Sequence, residues 1–336
     1  MSAARKLLYP FSLLYGGVML LRNKLYDRGI FSSEEYELPV IAVGNLSVGG
    51  TGKTPMVEHL ITLLAEDYRV ATLSRGYKRS SSGFRLVTGK ESAAEVGDEP
   101  LQFKTKFPKV MVAVDEVRTH GIGQLLNQAQ PPEVIILDDA FQHRKVKAGF
   151  YILLTPYNDL YSDDLVLPAG NLREPKSGAR RADVVVVTKC PPSLEEQEKK
   201  KIADRLKINA GQDLYFSSIS YSDKVMGIDT TLNLDELKVK SFVLVTGIAN
   251  PAPLVKHLKD RGLSFEHKAF PDHHNFTAAQ IKELQKEELL LTTEKDFMRL
   301  KNELPGPGLF YLPITTEFLG DRKKFENSIN SFVRKF

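Results

Sequence analysis

A glycine-rich run that ends in Gly52-Lys53-Thr54 has the composition of a phosphate-binding loop. It follows the apolar run Val40–Val43 and precedes a helical pattern over Pro55–Leu64, so it joins a strand to a helix. In such a loop the backbone N–H groups face the phosphates, the lysine reaches the β- and γ-phosphates, and the hydroxyl holds Mg²⁺. We expect the nucleotide to contact Ser47, Val48, Gly49, Gly50, Thr51, Gly52, Lys53 and Thr54.

The loop departs from the usual pattern, G-x-x-x-x-G-K-[ST], in having Ser47 where that pattern has its first glycine. Gly44, Gly49 and Gly50 provide backbone freedom nearby. Pro55 suits the first turn of the following helix because the N–H that it lacks would be unpaired there. We interpret the segment as a variant phosphate loop, and the alternative is a glycine-rich turn that binds nothing.

Two adjacent carboxylates, Asp138 and Asp139, follow the buried-strand pattern Val134–Leu137. In parallel sheets ligands bind at the carboxyl ends of the strands, which is also where the phosphate loop begins. Carboxylate oxygens are ligands that Mg²⁺ prefers, and a phosphate loop requires such a partner. We expect Asp138, Asp139 and Thr54 to hold Mg²⁺, although Asp139 could instead cap a helix.

Further polar stretches could contact phosphate or substrate, although each also has an ordinary explanation as exposed charge or as a helix cap. The residues concerned are Arg75, Asp98, Glu99, Arg173 and Glu174. His273 and His274 are adjacent and therefore point in different directions, which disfavours a metal site formed by both but leaves one for proton transfer. Lys295, in T-E-K-D, either contacts a nucleotide base or belongs to a helix cap.

These residues require a sheet that brings them to one edge. Together with the phosphate loop, apolar, β-branched runs that alternate with helical stretches predict a P-loop α/β fold, with a mostly parallel sheet and helices on both faces. The runs are Val40–Val43, Val70–Leu73, Val110–Val114, Val134–Leu137, Tyr151–Leu154 and Val184–Val187. We expect an N-terminal helix in 1–36, this nucleotide-binding domain in 37–216, a connector in 217–240 and a smaller α/β domain in 241–336.

The first 28 residues carry the whole net charge of +4, so the rest of the chain is balanced and a nucleic-acid partner is not expected. The uncharged run Leu7–Leu21 would be a helix of about 22 Å, shorter than the roughly 30 Å hydrocarbon core of a bilayer. One apolar stripe is formed by Leu7, Phe11, Leu14, Val18, Leu21 and Leu25. Such a helix lies in the plane of a membrane surface or packs as a cap on the first domain. The single cysteine, Cys190, indicates a reducing compartment.

Taken in order, the motifs resemble the tetraacyldisaccharide 4'-kinase family, which makes lipid A in Gram-negative bacteria. They are V-G-N-L-S-V-G-G-T-G-K-T-P, L-S-R-G-Y, G-D-E-P, D-D-A-F-Q-H-R, L-P-A-G-x-L-R-E-P, the D-H-H stretch and T-E-K-D. The resemblance implies transfer of the γ-phosphate of ATP, with Mg²⁺, to the 4'-hydroxyl of a tetraacyldisaccharide 1-phosphate, giving lipid IVA. It also implies that Asp98 pairs with a histidine, His273 by its Asp-His step rather than His274, to activate the hydroxyl, and that Lys53, the third catalytic residue, helps to hold MgATP.

This resemblance further implies a lipid-linked disaccharide as substrate and a location on the cytoplasmic face of the inner membrane, peripheral or monotopic through the N-terminal helix. Because the pair spans two domains, we also expect the smaller domain to close over the nucleotide. The motifs indicate no particular oligomeric state. The alternatives are a membrane-associated P-loop NTPase switch that lacks lipid kinase activity, and a soluble small-molecule kinase whose N-terminal helix is structural.

Overall fold

The computed structural model describes Arg5 and residues 7–336, and these residues form two β-sheets with helices around them. The helices are α1 (Tyr9–Asp27), α2 (Lys53–Leu64), α3 (Ala93–Val96), α4 (Asp98–Lys106), α5 (Arg118–Leu126), α6 (Glu196–Leu206), α7 (Ala252–Asp260), α8 (Ala278–Leu284), α9 (Glu294–Leu300) and α10 (Arg322–Val333). Short 3-10 helices span Tyr161–Asp163, Lys176–Arg181 and Leu234–Val239.

The larger sheet has the strand order β15-β8-β7-β6-β1-β5-β2-β4-β3. Its strands are β1 (Val40–Asn45), β2 (Val70–Ser74), β3 (Arg85–Val87), β4 (Met111–Val114), β5 (Val134–Asp138), β6 (Phe150–Pro156), β7 (Val184–Thr188), β8 (Asp213–Tyr221) and β15 (Ile314–Phe318). All neighbours pair in parallel except β3 and β15, the antiparallel strands at the two edges. The carboxyl ends of the central strands therefore meet at one edge, as predicted.

Helices cover both faces of this sheet, which confirms the predicted fold class. Alternate residues of β1 point to opposite sides because the side-chain period of a strand is two. Ile41 and Val43 belong to the same apolar cluster as α2, whereas Val40 and Ala42 belong to the cluster that contains Ile122 of α5. A strand buried on both faces reads as a continuous apolar run, and that property made it recognisable in the sequence.

The smaller sheet has the strand order β10-β9-β14-β13-β11-β12. Its strands are β9 (Lys224–Met226), β10 (Thr231–Asn233), β11 (Val243–Thr246), β12 (Glu266–Ala269), β13 (Leu290–Thr293) and β14 (Leu309–Leu312). Strands β11 to β14 are parallel, and β9 and β10 form an antiparallel extension. The segment 217–240, predicted as a connector, therefore contains the end of β8 and two strands of this sheet.

The end of the chain returns to the larger sheet, so the predicted boundaries at 216 and 241 do not separate the two sheets. β15 pairs antiparallel with β8, and α10 packs beside it. Phe325 of α10 is fully buried, with its ring centroid 5.4 Å from that of Tyr215 and 4.6 Å from that of Phe318. This burial of aromatic surface explains the return, because the rings of Phe318 and Phe325 leave water when β15 and α10 pack against the larger sheet.

Helix α1 turns its apolar side outward. Leu7, Phe11, Leu14, Val18 and Leu21, members of the predicted stripe, are 57% to 80% exposed. The buried residues of the helix are small or polar: Ser12, Gly16 and Asn23. No helix among the described residues is long and apolar enough to cross a membrane. Lys6, one of the basic residues beside the stripe, lies outside the described residues.

Candidate active site

The phosphate loop lies between β1 and α2, and its geometry depends on glycines at two points. A Cβ on Gly44 would lie 2.7 Å from Cβ of Phe141, so β1 can pass the turn after β5 only without a side chain there. Gly52 has a φ of 87°, a left-handed conformation that favours glycine, at the N-terminus of α2. Ser47, at the variant position, is buried and forms an isolated antiparallel bridge with Leu172, which fixes the start of the loop.

Lys53 of the loop faces the acids that follow β5. Its Nζ lies 3.1 Å from Oδ1 of Asn45 and 3.5 Å from Oδ1 of Asp139. Nη1 of Arg173 contacts both carboxylate oxygens of Asp139, at 3.0 and 3.1 Å. Burial would raise the pKa of Asp139, but the charges of Lys53 and Arg173 lower it below its usual range. The structure thus brings the phosphate-loop lysine, an acid and an arginine together.

Asp138 differs from Asp139 because its buried carboxylate has few hydrogen bonds or positive charges to offset its desolvation. Its Oδ1 is buried and has no hydrogen-bond partner among the described residues. Burial and the charge of Asp139 raise the pKa of Asp138 to about 7, against the attraction of Lys53. A bound cation would satisfy this oxygen and stabilise the ionised form.

The residues at this edge fit Mg²⁺. Among the described residues no group of three or more His, Cys, Asp or Glu side chains is arranged to hold a metal ion by itself. Mg²⁺ in nucleotide sites does not require such a group, because it is usually bound by one or two carboxylates together with phosphate oxygens and water. Asp138, Asp139 and the half-buried Thr54 provide that kind of donor set.

A second cluster joins the two sheets around Asp98, the first residue of α4. His273 Nδ1 lies 3.2 Å from Asp98 Oδ2, although 175 positions separate the two residues. Nε of Arg299, on α9, donates to Asp98 Oδ1 at 2.8 Å, and Nη2 of Arg299 contacts Oδ2. His273 has a φ of 59°, so an uncommon left-handed backbone directs its ring to this cluster. The sequence-predicted pair of Asp98 with a histidine is therefore in contact.

The electrostatics of this cluster keep Asp98 ionised. Burial would raise the pKa of Asp98, but the hydrogen bonds from His273 and Arg299, with the charges of Arg299 and Lys295, lower it to about 2. The other ring nitrogen of His273, Nε2, lies 3.1 Å from Nζ of Lys295. Lys295 also pairs with Glu99 at 3.0 Å. The charge of Glu99 also raises the pKa of Asp138, so the Asp98 cluster adjoins the acids that follow β5.

His274 lies outside this cluster. Its Nε2 is 2.9 Å from Oε1 of Gln280, and its ring stacks on Phe270 with 4.8 Å between centroids. These contacts belong to the turn before α8 and hold it together. Of the adjacent histidines, only His273 contacts Asp98 in the described part of the chain.

Glu174, predicted as a contact for substrate or phosphate, has a different position. Its side chain is fully buried, and Arg181 binds both oxygens at 2.8 and 3.0 Å. Asn23 of α1 and Gln142 each donate a further hydrogen bond to the carboxylate, at 2.8 and 3.0 Å. Four donors satisfy the carboxylate and leave no oxygen for a ligand. Glu174 therefore links α1 to the nucleotide site, and the prediction of a substrate contact is corrected.

Arg75, the other cationic prediction, is exposed after β2 and forms no hydrogen bond or ion pair with the described residues. It follows β2 at the same sheet edge as the acids. Burial lowers the pKa values of Arg118 and His143, that of His143 to about 4, and the nearby charge of Arg75 lowers both further. An exposed guanidinium at this edge is free to meet an anionic ligand.

Three residues of the site are not among those predicted from the sequence: Asn45, Lys189 and Arg299. Asn45 and Lys189 directly follow or end buried strands, and that position is the signal that identified Asp138. Lys189 Nζ donates to the carbonyl oxygen of Gly50 at 2.6 Å. Arg299 lies within a helix and outside every motif, so the local pattern contains no signal for it.

Known proteins are similar to this chain over nearly its whole length. The sequence model of the tetraacyldisaccharide-1-P 4'-kinase family matches residues 4–334. A tetraacyldisaccharide 4'-kinase of Flavobacterium johnsoniae is 51% identical, over 100% of this chain and 99% of that protein. One of Bacteroides thetaiotaomicron is 46% identical, over 98% of this chain and 93% of that protein.

A solved structure extends the likeness to three dimensions. The crystal structure of LpxK from Aquifex aeolicus in complex with ATP has a TM-score of 0.80 to this chain and is 35% identical. The match covers 98% of this chain and 99% of that one. With a family match over nearly the whole length, the chain belongs to the tetraacyldisaccharide-1-phosphate 4'-kinase family.

Proposed function

We propose that this protein transfers the γ-phosphate of ATP to the 4'-hydroxyl of a tetraacyldisaccharide 1-phosphate and so forms the bis-phosphorylated lipid A precursor. The observation that carries the proposal is the Asp98–His273 contact of 3.2 Å, which joins the two sheets beside the phosphate loop. A nucleotide switch that uses water needs no such pair contributed by a second sheet. A kinase benefits from a group that accepts the proton of the attacking hydroxyl.

Lys53 and Arg173 bind and orient the nucleotide phosphates. Phosphoryl transfer depends mainly on positioning and on neutralising charge on the phosphate oxygens. Lys53 Nζ and the guanidinium of Arg173 both lie within 3.5 Å of Asp139, so two cations meet at the sheet edge. Bound there by Asp138, Asp139 and Thr54, Mg²⁺ would add neutralising charge on the phosphates.

The Asp98–His273 pair accepts the proton of the 4'-hydroxyl. A carboxylate with a pKa of about 2 holds a proton poorly, so the proton rests on the imidazole of His273. Asp98 then stabilises the imidazolium, as a carboxylate does for a general-base histidine. Arg299 holds Asp98 in place through two contacts. Nδ1 of His273 already faces Asp98 and Arg299, so the hydroxyl must approach Nε2, and Lys295 must leave Nε2 when substrate binds.

The outward face of α1 is the surface through which the protein meets its lipid. Large exposed apolar side chains on α1, with Arg5, Lys24 and Arg28 nearby, match a helix that lies in the plane of an anionic membrane. The polar inward face favours the membrane over the packing alternative, since a helix that packed as a cap would bury its apolar stripe. The location that follows is the cytoplasmic face of the inner membrane.

Membrane binding is tested by substitution rather than by deletion. Deleting residues 1–30 would also remove Tyr15, which donates to the carbonyl oxygen of Arg173 at 2.7 Å, and Asn23, which binds Glu174. Val18→Glu should lower flotation with anionic vesicles. Val239→Glu, at a site that is 90% exposed and outside α1, is the matched control and should not. Equal flotation of both variants and the parent would overturn the membrane assignment.

The kinase reaction is tested with γ-labelled ATP, Mg²⁺ and tetraacyldisaccharide 1-phosphate in detergent micelles. We expect label in the lipid, lost in Lys53→Ala and lowered by at least about a hundredfold in His273→Ala, the usual contribution of a general base. Labelled phosphate released to water with no labelled lipid would identify the NTPase switch and overturn the proposal. Near-parental turnover by His273→Ala would overturn the role of the pair alone.

A further inference from the structure

The end of β7 holds two consecutive carbonyl groups of the phosphate loop. Oγ1 of Thr188 donates to the carbonyl oxygen of Thr51 at 2.7 Å. Nζ of Lys189 donates to the carbonyl oxygen of Gly50 at 2.6 Å. Thr188 and Thr51 are only 3% and 2% exposed, so solvent does not replace their bond. Neither Thr188 nor Lys189 has a role in the mechanism described above.

These two bonds determine where the adjacent N–H groups point. In a trans peptide the C=O of one residue and the N–H of the next point in opposite directions. With the carbonyls of Gly50 and Thr51 held on the β7 side, the N–H groups of Thr51 and Gly52 are directed away from β7. Within the described chain, no backbone N–H of residues 49–54 donates a hydrogen bond, so these donors are available to a ligand.

The strand end that makes these contacts is itself fixed on both sides. The carbonyl oxygen of Thr188 accepts from the N–H of Tyr157, and the N–H of Cys190 donates to the carbonyl oxygen of Ser217, each at 2.9 Å. Lys189 between them has a φ of 57°, a left-handed conformation that is uncommon for a residue with a side chain. Such conformations persist where the surroundings impose them and concentrate at ligand sites.

The charge of Lys189 supports a role beside phosphate. Its ammonium contacts the phosphate loop that also carries Lys53, and its pKa is lowered by desolvation and by the charge of Lys53. Two cations held near one loop repel each other unless an anion lies between or beside them. A polyphosphate chain has the charge that would relieve this repulsion.

We propose that Thr188 and Lys189 are positioning residues for the nucleotide: they hold the carbonyls of the phosphate loop so that its N–H groups face the β- and γ-phosphates of ATP. The inference rests on the proposed function in that it takes the loop to bind ATP. It assigns the preorganisation of the loop to a strand end outside the motif. Specificity for the polyphosphate, rather than for the adenosine or the lipid, follows.

The test measures nucleotide binding in the absence of lipid, with a fluorescent ATP analogue displaced by ATP, ADP or inorganic tripolyphosphate. Thr188→Val removes the donor and keeps the branched shape, and we expect all three to bind about tenfold more weakly, the worth of one good hydrogen bond. Thr188→Ser retains the donor and should bind within about threefold of the parent. Lys189→Met keeps the apolar stem and should also weaken all three.

Thr292→Val is the matched control. Oγ1 of Thr292 likewise donates to a backbone carbonyl at 2.7 Å in a fully buried strand, but the bond is to Val245 in the smaller sheet. Its substitution should lower the melting temperature by a similar amount and leave ATP binding unchanged. Should Thr188→Val fail to fold, Lys189→Met and Thr188→Ser provide the same comparison, since Lys189 is exposed and its ammonium is not part of a core.

The positioning role of Thr188 and Lys189 is overturned if Thr188→Val and Lys189→Met bind ATP within about twofold of the parent. It is also overturned if they weaken ATP but leave tripolyphosphate unaffected, since the loss would then concern the adenosine. Absence of lipid phosphorylation in the parent would overturn the proposed function alone, because the binding comparison needs no lipid.

Discussion

Replacing Glu174 by alanine should lower the free energy of unfolding and should not remove a substrate contact. The carboxylate is fully buried, and it is the partner of Arg181, Asn23 and Gln142. Removing it leaves the Arg181 guanidinium, whose side chain is 16% exposed, without its counter-ion. It also removes a bond that ties α1 to the rest of the protein.

The size of the effect follows from this burial. Breaking a buried ion pair by removing one partner costs about 3–5 kcal/mol, and we expect the lower end because water reaches part of Arg181. At about 2 °C per kcal/mol for a large chain, the melting temperature should fall by roughly 6 °C. Calorimetry or circular dichroism measures this shift, and nucleotide titration measures the KM for ATP in parallel.

The matched control for Glu174→Ala is Glu196→Ala. The side chain of Glu196 is 85% exposed, and its pairing with Lys199 is a surface pair of small worth, so the free energy of unfolding should change by less than about 0.5 kcal/mol. An unchanged melting temperature for Glu174→Ala, with a raised KM for ATP or lipid, would refute the structural role. It would restore Glu174 as a substrate contact.

Three further outcomes are expected. Asp98→Asn should lower the free energy of unfolding at neutral pH, and the difference from the parent should shrink as the pH falls from about 4 towards 2. The reason is that the folded-state pKa of Asp98 is depressed, so the stabilisation it provides is lost when it is protonated. Urea unfolding at several pH values measures this difference, and a constant difference would contradict the expectation. Lys106→Met removes the ammonium shared by two buried carboxylates and should destabilise by about 3 kcal/mol. The loss of stability should be smaller at about pH 5 than at about pH 8. Burial and a neighbouring carboxylate raise the pKa of Glu294 to about 7, so Glu294 is protonated at about pH 5 and needs the ammonium of Lys106 less. The opposite trend would contradict the pairing of Lys106 with the two carboxylates. Gly44→Ala should lower the free energy of unfolding by about 1–3 kcal/mol and weaken ATP binding, because the new Cβ would displace Phe141 and the turn that carries the acids. Parental stability together with parental ATP affinity would contradict this close packing.

The nucleotide half of the site could be predicted because its chemistry is local. The phosphate loop follows one buried strand, and Asp138 and Asp139 follow another. Parallel strands bring their carboxyl ends to one edge, so a residue's position just after a strand predicts its position in space. The same rule would have identified Lys189, had it been applied to the strand at 184–188.

The rest of the architecture depends on contacts between distant segments, which no local pattern reveals. Arg299 reaches Asp98 across 201 positions from the middle of a helix. Glu174 follows Arg173, a proposed phosphate contact, in one motif, so no local pattern distinguishes a buried link from a ligand contact. β15 returns to the larger sheet because α10 and β8 bury its apolar side, a long-range packing effect.

The central claim is that the protein phosphorylates the 4'-hydroxyl of its lipid-linked disaccharide. Phosphorus–proton correlation NMR of the lipid purified after reaction with ATP tests it most directly. We expect a new phosphate ester coupled to the proton on carbon 4' of the distal sugar, absent from lipid incubated with Lys53→Ala. A new ester coupled to any other sugar proton, or no new ester while ATP is consumed, would contradict it.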